Sequence, residues 1–325
     1  MADGGTGTGT GPVPEDGGTP AAGFLPLPDD LRFPGAPAGA GQRAGARAAQ
    51  EAEYERYFRI SRTRPDRDVW THSLLTAQSA LLADLAGTRL TDGERADLLT
   101  GLVLLGNAAL AGPGGPADPP RTAGPPPGGP AGREDPAAGP PEPAAERPAL
   151  SRWRIGHQIF HLHLTLMNSL LDEALLAARA CEWPRLTGLL DRLCQLYDSA
   201  TAAMTYAADF GPDAPDLYRR QVRPTMEPPF VSPGFSGMFN REHREMTRLL
   251  GAVRRALKRV PATGEGTAEV RAAGARLRAA QARNRANHLR ICERCVPDGV
   301  SLLREHLDRQ DAPPPAEEAS GEARS

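Results

Sequence analysis

Leucine and isoleucine side chains recur every three or four residues from Trp153 to Glu182, the spacing of one face of an α-helix. A second segment with this spacing runs from Leu186 to Asp209, and Pro184 lies between the two. The pair therefore predicts an antiparallel helical hairpin. Further helices are predicted over Val69–Gly87, Thr91–Asn107, Asn240–Val260 and Ala268–Cys295. No alternating strand pattern is evident, so we expect an all-α helical bundle.

Glycine and proline, 35 and 33 residues of the 325, are concentrated in a few stretches. Such stretches lack the apolar side chains that would offset the entropy cost of ordering, so we expect them to be disordered. The predicted parts are a disordered N-terminal tail (1–48), N-terminal helices (49–110), a disordered Pro/Gly-rich linker (111–149), a helical core (150–310) and a disordered C-terminal tail (311–325).

Charge and cysteine content exclude several classes of protein. The formal net charge of -2 disfavours a nucleic-acid-binding surface, which is normally basic. No apolar run approaches the roughly 18 residues of a membrane-spanning helix, and the first residues lack the features of a secretory signal. Four cysteines in a chain of this length do not make a disulfide framework. We therefore expect a cytoplasmic protein without nucleic-acid or membrane partners.

A polar stripe crosses the otherwise apolar helix predicted over residues 153–182. Its members, spaced by three or four residues, are His157, His161, Thr165, Asn168 and Asp172. The stripe faces either water or a polar pocket, and the sequence leaves both interpretations open. A zinc or other non-heme metal site on the two histidines and a carboxylate is a further hypothesis.

The segment Asn-His-Leu-Arg-Ile-Cys places His288 and Cys292 one helical turn apart. If the imidazole ligates a heme iron, the thiol lies near the porphyrin edge, where a vinyl group could accept it as a thioether. The alternative is a polar residue near a helix end and a buried cysteine. Cys292 and Cys295 also form a CxxC pair, but neither additional zinc ligands nor a βαβ context accompanies it.

Two further groups could serve an active site. His243 follows the Pro-Gly-Phe-Ser-Gly segment 233–237, and a neutral imidazole can shuttle protons at physiological pH. Arg219, Arg220 and Arg223 could bind a carboxylate through paired hydrogen bonds. The alternatives are a surface histidine and a solvated run of positive charge.

Taken in order, these segments resemble the heme-dependent aromatic oxygenase superfamily, which contains tryptophan 2,3-dioxygenase and the heme-dependent tyrosine hydroxylases. IGHQIFHLHLTLMNSLLDEAL is similar to the superfamily's helix with a His-Gln pair. LYRRQVRP and SPGFSGMF are similar to its arginine-bearing segment and Gly-Phe loop. NHLRIC is similar to the His-xxx-Cys heme attachment of the 3-methyl-L-tyrosine hydroxylases, which make antibiotic building blocks. The resemblance covers about residues 150–305.

The resemblance implies a tryptophan 2,3-dioxygenase-like bundle that binds heme, with His288 as the iron ligand and Cys292 as a single thioether link. By analogy with the hydroxylases the distal acid–base residue is His243, and by analogy with the dioxygenases it is His157. The candidate substrate-binding residues are Arg219, Arg220 and Arg223. A homodimer is expected by the same analogy.

The implied reaction is hydroxylation of tyrosine or 3-methyltyrosine ortho to the phenol, driven by hydrogen peroxide, as a step of antibiotic biosynthesis. Dioxygen insertion into an indole ring, as in the tryptophan branch, is a related enzymatic alternative. A heme-binding sensor or carrier without turnover, and a helical bundle that binds a non-heme metal, are alternatives of other classes.

Overall fold

The computed structural model describes residues 24–33, 48–110, 148–211 and 240–295. Within these ranges the chain forms seven helices and one two-stranded sheet, which confirms the predicted all-α bundle. The helices are α1 (Ala48–Tyr57), α2 (Arg67–Leu85), α3 (Asp92–Leu110), α4 (Pro148–Arg179), α5 (Trp183–Ala207), α6 (Arg241–Leu257) and α7 (Thr267–Cys295). No helix of the described ranges has the length and apolar character that a membrane span requires.

Helix α5 is the centre of the bundle, and α3, α4 and α7 all pack against it. Its buried face is a leucine ridge that becomes alanine-rich towards the C-terminal end. There α4 approaches closely, because a β-carbon at Gly156 would lie 2.5 Å from the β-carbon of Ala207. Helices α2 and α6 pack on the outer sides of α4.

Helix starts follow local signals in the sequence. Thr91 and Glu94 form a reciprocal capping box at α3, in which each backbone N–H donates to the other side chain, at 2.9 and 3.2 Å. Asp66 caps α2 by accepting from the N–H of Val69 at 2.9 Å. Pro184 occupies the first turn of α5, where its missing N–H costs nothing, as the predicted hairpin requires.

Two short parallel strands, β1 (Leu25–Pro28) and β2 (Ile60–Thr63), were not expected from the sequence. The predicted N-terminal disorder is wrong for residues 24–33, because Leu27 and other apolar side chains of this segment are buried in the core. Strand β1 is hard to predict because it contains prolines, which have no N–H to donate to a neighbouring strand. It pairs nevertheless, because Leu25 and Asp29 supply the N–H donors at its ends. Their N–H groups donate to carbonyl oxygens immediately before and within β2, at 2.7 and 3.0 Å.

Candidate functional site

The polar stripe of α4 faces other parts of the protein, so of its two interpretations, water or a polar pocket, exposure to water is wrong for its middle. His161, Thr165 and Asn168 are all 0% exposed. Asn168 donates to the backbone carbonyls of Leu31 at 2.9 Å and Glu242 at 3.3 Å. The stripe is therefore covered by α6 and by the segment that follows β1. The sequence could not show this because the covering groups lie far away in the chain.

His161 is bonded at both ring nitrogens. Its Nδ1 lies 3.0 Å from Oε2 of Glu242, and its Nε2 lies 3.2 Å from Nδ2 of Asn240. Glu242 also forms an ion pair with Arg62, whose guanidinium in turn binds Glu55 at 2.5 Å. Burial alone would raise the pKa of the Glu242 carboxyl, but Arg62 and His161 outweigh burial and hold it well below its usual range.

Arg32 joins the same region from the segment after β1. Its Nε donates to Asp172 at 2.5 Å and its Nη2 donates to Glu245 at 2.7 Å. We call the whole set the polar seam, because it fills the space between α4 and α6. Its members are Arg32, Glu55, Arg62, His161, Asp172, Asn240, Glu242 and Glu245. The sequence analysis identified only the two α4 members.

His163, on the opposite face of α4, is also bonded at both nitrogens. Its Nδ1 lies 2.8 Å from the carbonyl oxygen of Ile159, and its Nε2 lies 2.9 Å from Oγ of Ser199. The pair packs beneath α3, where a β-carbon at Gly101 would come within 1.9 Å of the Ser199 hydroxyl. Burial lowers the pKa of His163 to about 4, so this histidine is neutral and structural.

His157, one turn before His161, has a different environment. Its Nδ1 lies 2.7 Å from the carbonyl oxygen of Trp153, which requires the proton on Nδ1 and leaves a lone pair on Nε2. The ring stacks on Phe58, with centroids 4.1 Å apart and planes at 16°. Burial, the largest cause, lowers the pKa of His157 to about 3, with nearby His161 and His288 acting in the same direction and the Trp153 carbonyl against it. The imidazole is therefore neutral at physiological pH.

His288 lies in the last turns of α7, half-buried, at the same end of the bundle as His157. Burial lowers its pKa, so it too is a neutral imidazole with a lone pair. The His157 ring lies 4.2 Å from that of Trp153, and Trp153 packs against the cluster that contains Ile291, three residues after His288. Around them the start of α4 and the end of α7 meet in an apolar cluster that includes Trp153, Phe210 and Ile291.

The remaining predicted site residues are placed less completely. His243 is in the first turn of α6, half-buried, with its backbone N–H bonded to Oδ1 of Asn240 at 2.9 Å. Cys292 follows His288 by four residues in α7, and its side chain lies outside the described part of the molecule. Arg219, Arg220 and Arg223 lie outside the described residues, as does segment 233–237. Across the described ranges, no group of three histidine, cysteine or acidic side chains is arranged to hold a metal ion.

A family model described as SfmD 3-methyl-L-tyrosine peroxygenase matches residues 19–267 of this chain. The chain belongs to this family. The matched region includes the polar seam, His157 and His243, and it ends where α7 begins, before His288. The resemblance to the 3-methyl-L-tyrosine hydroxylases is thus confirmed.

Two individual proteins are similar to the chain. A 3-methyl-L-tyrosine peroxygenase of Streptomyces lavendulae is 30% identical over 172 residues, which cover 52% of this chain and 44% of that protein. The match therefore spans less than half the length of this relative. The crystal structure of reduced SfmD, soaked with sodium hydrosulfite, is 24% identical with a TM-score of 0.46, covering 77% of each chain.

Proposed function

We propose that this protein is a heme-dependent peroxygenase that hydroxylates tyrosine or 3-methyl-L-tyrosine ortho to the phenol, in antibiotic biosynthesis. Family membership supports the reaction class and the choice of substrate. The observation that carries the proposal is that the start of α4 and the end of α7, which bear His157 and His288, meet in one apolar cluster. The cytoplasmic location and the homodimer remain predictions of the sequence.

The residues at this end of the bundle fit a heme. An iron porphyrin needs an unprotonated imidazole as a ligand and flat apolar surroundings, and burial keeps His288 neutral. Phe58 and Trp153 supply aromatic surface beside the second imidazole, with the Trp153 and His157 rings 4.2 Å apart. We propose His288 as the iron ligand and Cys292 as a single thioether link. Bound heme would supply the oxidising power that no amino-acid side chain has.

Proton handling is assigned to one of two imidazoles. The His157 ring is fixed by its Nδ1 bond to Trp153, so its Nε2 lone pair is available to peroxide, but a pKa of about 3 makes it a weak base. His243 is the second candidate, because the Asn240 cap fixes its backbone at the start of α6. The carboxylate of the amino-acid substrate is assigned to Arg219, Arg220 or Arg223, since a guanidinium matches a carboxylate in shape and charge.

The test is an absorption spectrum of the purified protein, followed by turnover with hydrogen peroxide and 3-methyl-L-tyrosine. The expected results are a Soret band and a product that has gained one oxygen atom. Two oxygen atoms gained by tryptophan from dioxygen would identify an indole dioxygenase, and heme without turnover would identify a sensor or carrier. A colourless protein that does not take up heme would overturn the proposal.

The thioether has a separate test. Heme of the unmodified protein should stay with the polypeptide in acidified organic solvent, and heme of Cys292→Ala should be extracted. A Cys295→Ala variant is the matched control, since it removes the neighbouring thiol of the same helix and should retain its heme. Extractable heme in the unmodified protein would remove the thioether from the proposal.

A further inference from the structure

Asn240 has two hydrogen-bonding tasks at the start of α6, where it is 1% exposed. Its Oδ1 accepts the backbone N–H of His243 at 2.9 Å, which is the N-cap of the helix. Its Nδ2 donates to Nε2 of His161 at 3.2 Å, and its side chain also bonds to Tyr54. An amide has its acceptor on one side and its donor on the other. The cap is therefore oriented by the acceptors of the amide NH2 group, which are Nε2 of His161 and the Tyr54 oxygen.

The polar seam makes Nε2 of His161 that acceptor. The Glu242 carboxylate, 3.0 Å from Nδ1 of His161, can only accept, so Nδ1 carries a proton. Because Oδ1 of Asn240 accepts the His243 N–H, the NH2 group of this amide faces Nε2 of His161, which is therefore the acceptor. Arg62 holds Glu242 in its ionised form through their ion pair. A continuous sequence of directional contacts thus runs from Arg62 through Glu242, His161 and Asn240 to the backbone of His243.

We propose that His161 is a positioning residue for His243, acting through the amide of Asn240. The inference rests on the proposed function, in which an imidazole at the start of α6 handles a proton. Without an acceptor at Nε2 of His161, the amide keeps only the Tyr54 oxygen as an acceptor, so it is held less firmly and can present its NH2 group to the His243 N–H. The first turn of α6 then loses its cap, and the His243 imidazole loses its fixed direction.

His163 is a natural control for this idea. It lies on the same helix, is equally buried and is bonded at both nitrogens, but its partners are Ile159 and Ser199. Neither partner belongs to α6 or to the polar seam. A purely structural role for buried histidines of α4 would give His161 and His163 variants the same phenotype.

The experiment follows cyanide association with the ferric heme of the loaded enzyme as a function of pH. Cyanide enters as HCN and must give its proton to a nearby base, so its rate reports a positioned imidazole without any turnover. His161→Phe should slow association roughly tenfold or more, a small part of the usual effect of losing a general base. His161→Gln, which keeps an acceptor oxygen for Asn240, and His163→Phe should stay within about twofold of the unmodified enzyme.

A double-mutant cycle tests whether the effect passes through Asn240. Serine caps helices well but is too short to contact His161, so Asn240→Ser uncouples the cap from the ring. Adding His161→Phe to that variant should cause no further slowing, because coupled residues are not additive. If His161→Phe does not accumulate as folded protein, His161→Leu replaces it, since leucine also offers no acceptor to the Asn240 amide and should slow association similarly.

Two outcomes overturn the inference: equal slowing by His161→Phe and His163→Phe, and slowing by His243→Ala without slowing by His161→Phe. An unchanged profile for His243→Ala has another meaning, because it shows that His243 is not the proton-accepting base. Hydrogen exchange of the first turn of α6 then decides. Faster exchange in His161→Phe than in His163→Phe supports the positioning of that turn, and equal exchange refutes it.

Discussion

The histidines along the α4 polar stripe differ in how many of their ring nitrogens have hydrogen-bond partners. In the polar seam, His161 has hydrogen-bond partners on both ring nitrogens, and so has His163 on the other face of the helix. Near the start of α4, the described residues provide a partner for Nδ1 of His157 but none for Nε2. An imidazole bonded on both sides is committed to structure, whereas one oriented at Nδ1 with a lone pair at Nε2 is prepared for chemistry. The number of bonded nitrogens and the burial change together, because His161 and His163 are 0% exposed whereas His157 is half-buried.

The largest effect is expected for a histidine that is proposed to take part in the chemistry. His288→Ala removes the proposed iron ligand, so any heme still held by Cys292 should show a shifted Soret band, and peroxide-driven hydroxylation should be lost. Thermal unfolding of the heme-free protein should change little, because the side chain is only half-buried. His72→Ala, at an exposed position of α2, is the control and should bind heme normally. Normal heme binding by His288→Ala would move the iron ligand to another residue.

The next largest effect is expected on the free energy of unfolding, when an ion pair of the polar seam is removed. Arg62→Met leaves Glu242 and Glu55 buried without their cation, and breaking such a pair typically costs about 3–5 kcal/mol. Arg276→Met is the matched control, because its ion pair with Asp191 is exposed, with side chains 53% and 45% accessible, and should cost under about 1 kcal/mol. Urea unfolding measures both. Similar losses in the two variants would show that the polar seam does not hold the fold.

The same ion pairs give the seam an acid dependence. The pKa of Glu242 is lowered in the folded protein, so its ionised form stabilises the fold above the ordinary carboxyl pKa of about 4.3. That contribution is lost as the pH falls below this value, because the unfolded chain then binds a proton that the folded protein refuses. Arg62→Met should therefore show a shallower loss of stability below about pH 4.3 than the unmodified protein.

The sequence predicts the features that depend on interactions between neighbouring residues, and it misses those that depend on residues far apart in the chain. Apolar periodicity found α4 and α5, and the local pair Thr91 and Glu94 correctly placed the start of α3, because both signals act within a few residues. The same period on α4 revealed the polar stripe but not what covers it. Arg32 and Arg62 complete the stripe, and they come from segments without helical period that precede α4 by more than 80 residues.

The same difference between local and long-range interactions decides which site residues can be predicted from the sequence. His157 and His288 were identified from spacing and family resemblance, but no local signal shows that the beginning of α4 and the end of α7 meet. At the same end of α4, the close approach of Gly156 to α5 is also a tertiary property. Glu242, one residue before His243, was missed because a glutamate in the first turn of a helix is ordinarily a solvated one.

A smaller effect tests the packing around His163. Gly101→Ala would place a β-carbon 2.6 Å from Nε2 of His163 and even closer to Ser199, so overpacking should cost about 1–3 kcal/mol. Gly106→Ala, on the same helix, meets nothing within 4 Å and should stabilise the protein by about 0.5–1 kcal/mol. Thermal unfolding compares the two variants. A neutral Gly101→Ala would mean that the His163–Ser199 pair can move, and that His163 is a poor control for His161.

The smallest effect distinguishes what the neutral imidazole of His157 contributes to stability from what the packing of its ring contributes. The folded pKa of His157 is about 3, below the ordinary value near 6.5, so its neutral form contributes stability that is complete above pH 6.5. This contribution is lost as the pH falls towards 3, because the unfolded chain gains a proton that the folded protein excludes. His157→Phe keeps the stack on Phe58 and should cost only about 1 kcal/mol at pH 7.5. Between pH 6.5 and 4 its stability should fall less steeply than that of the unmodified protein. An identical slope would mean that water or a ligand reaches the ring and lets it titrate normally.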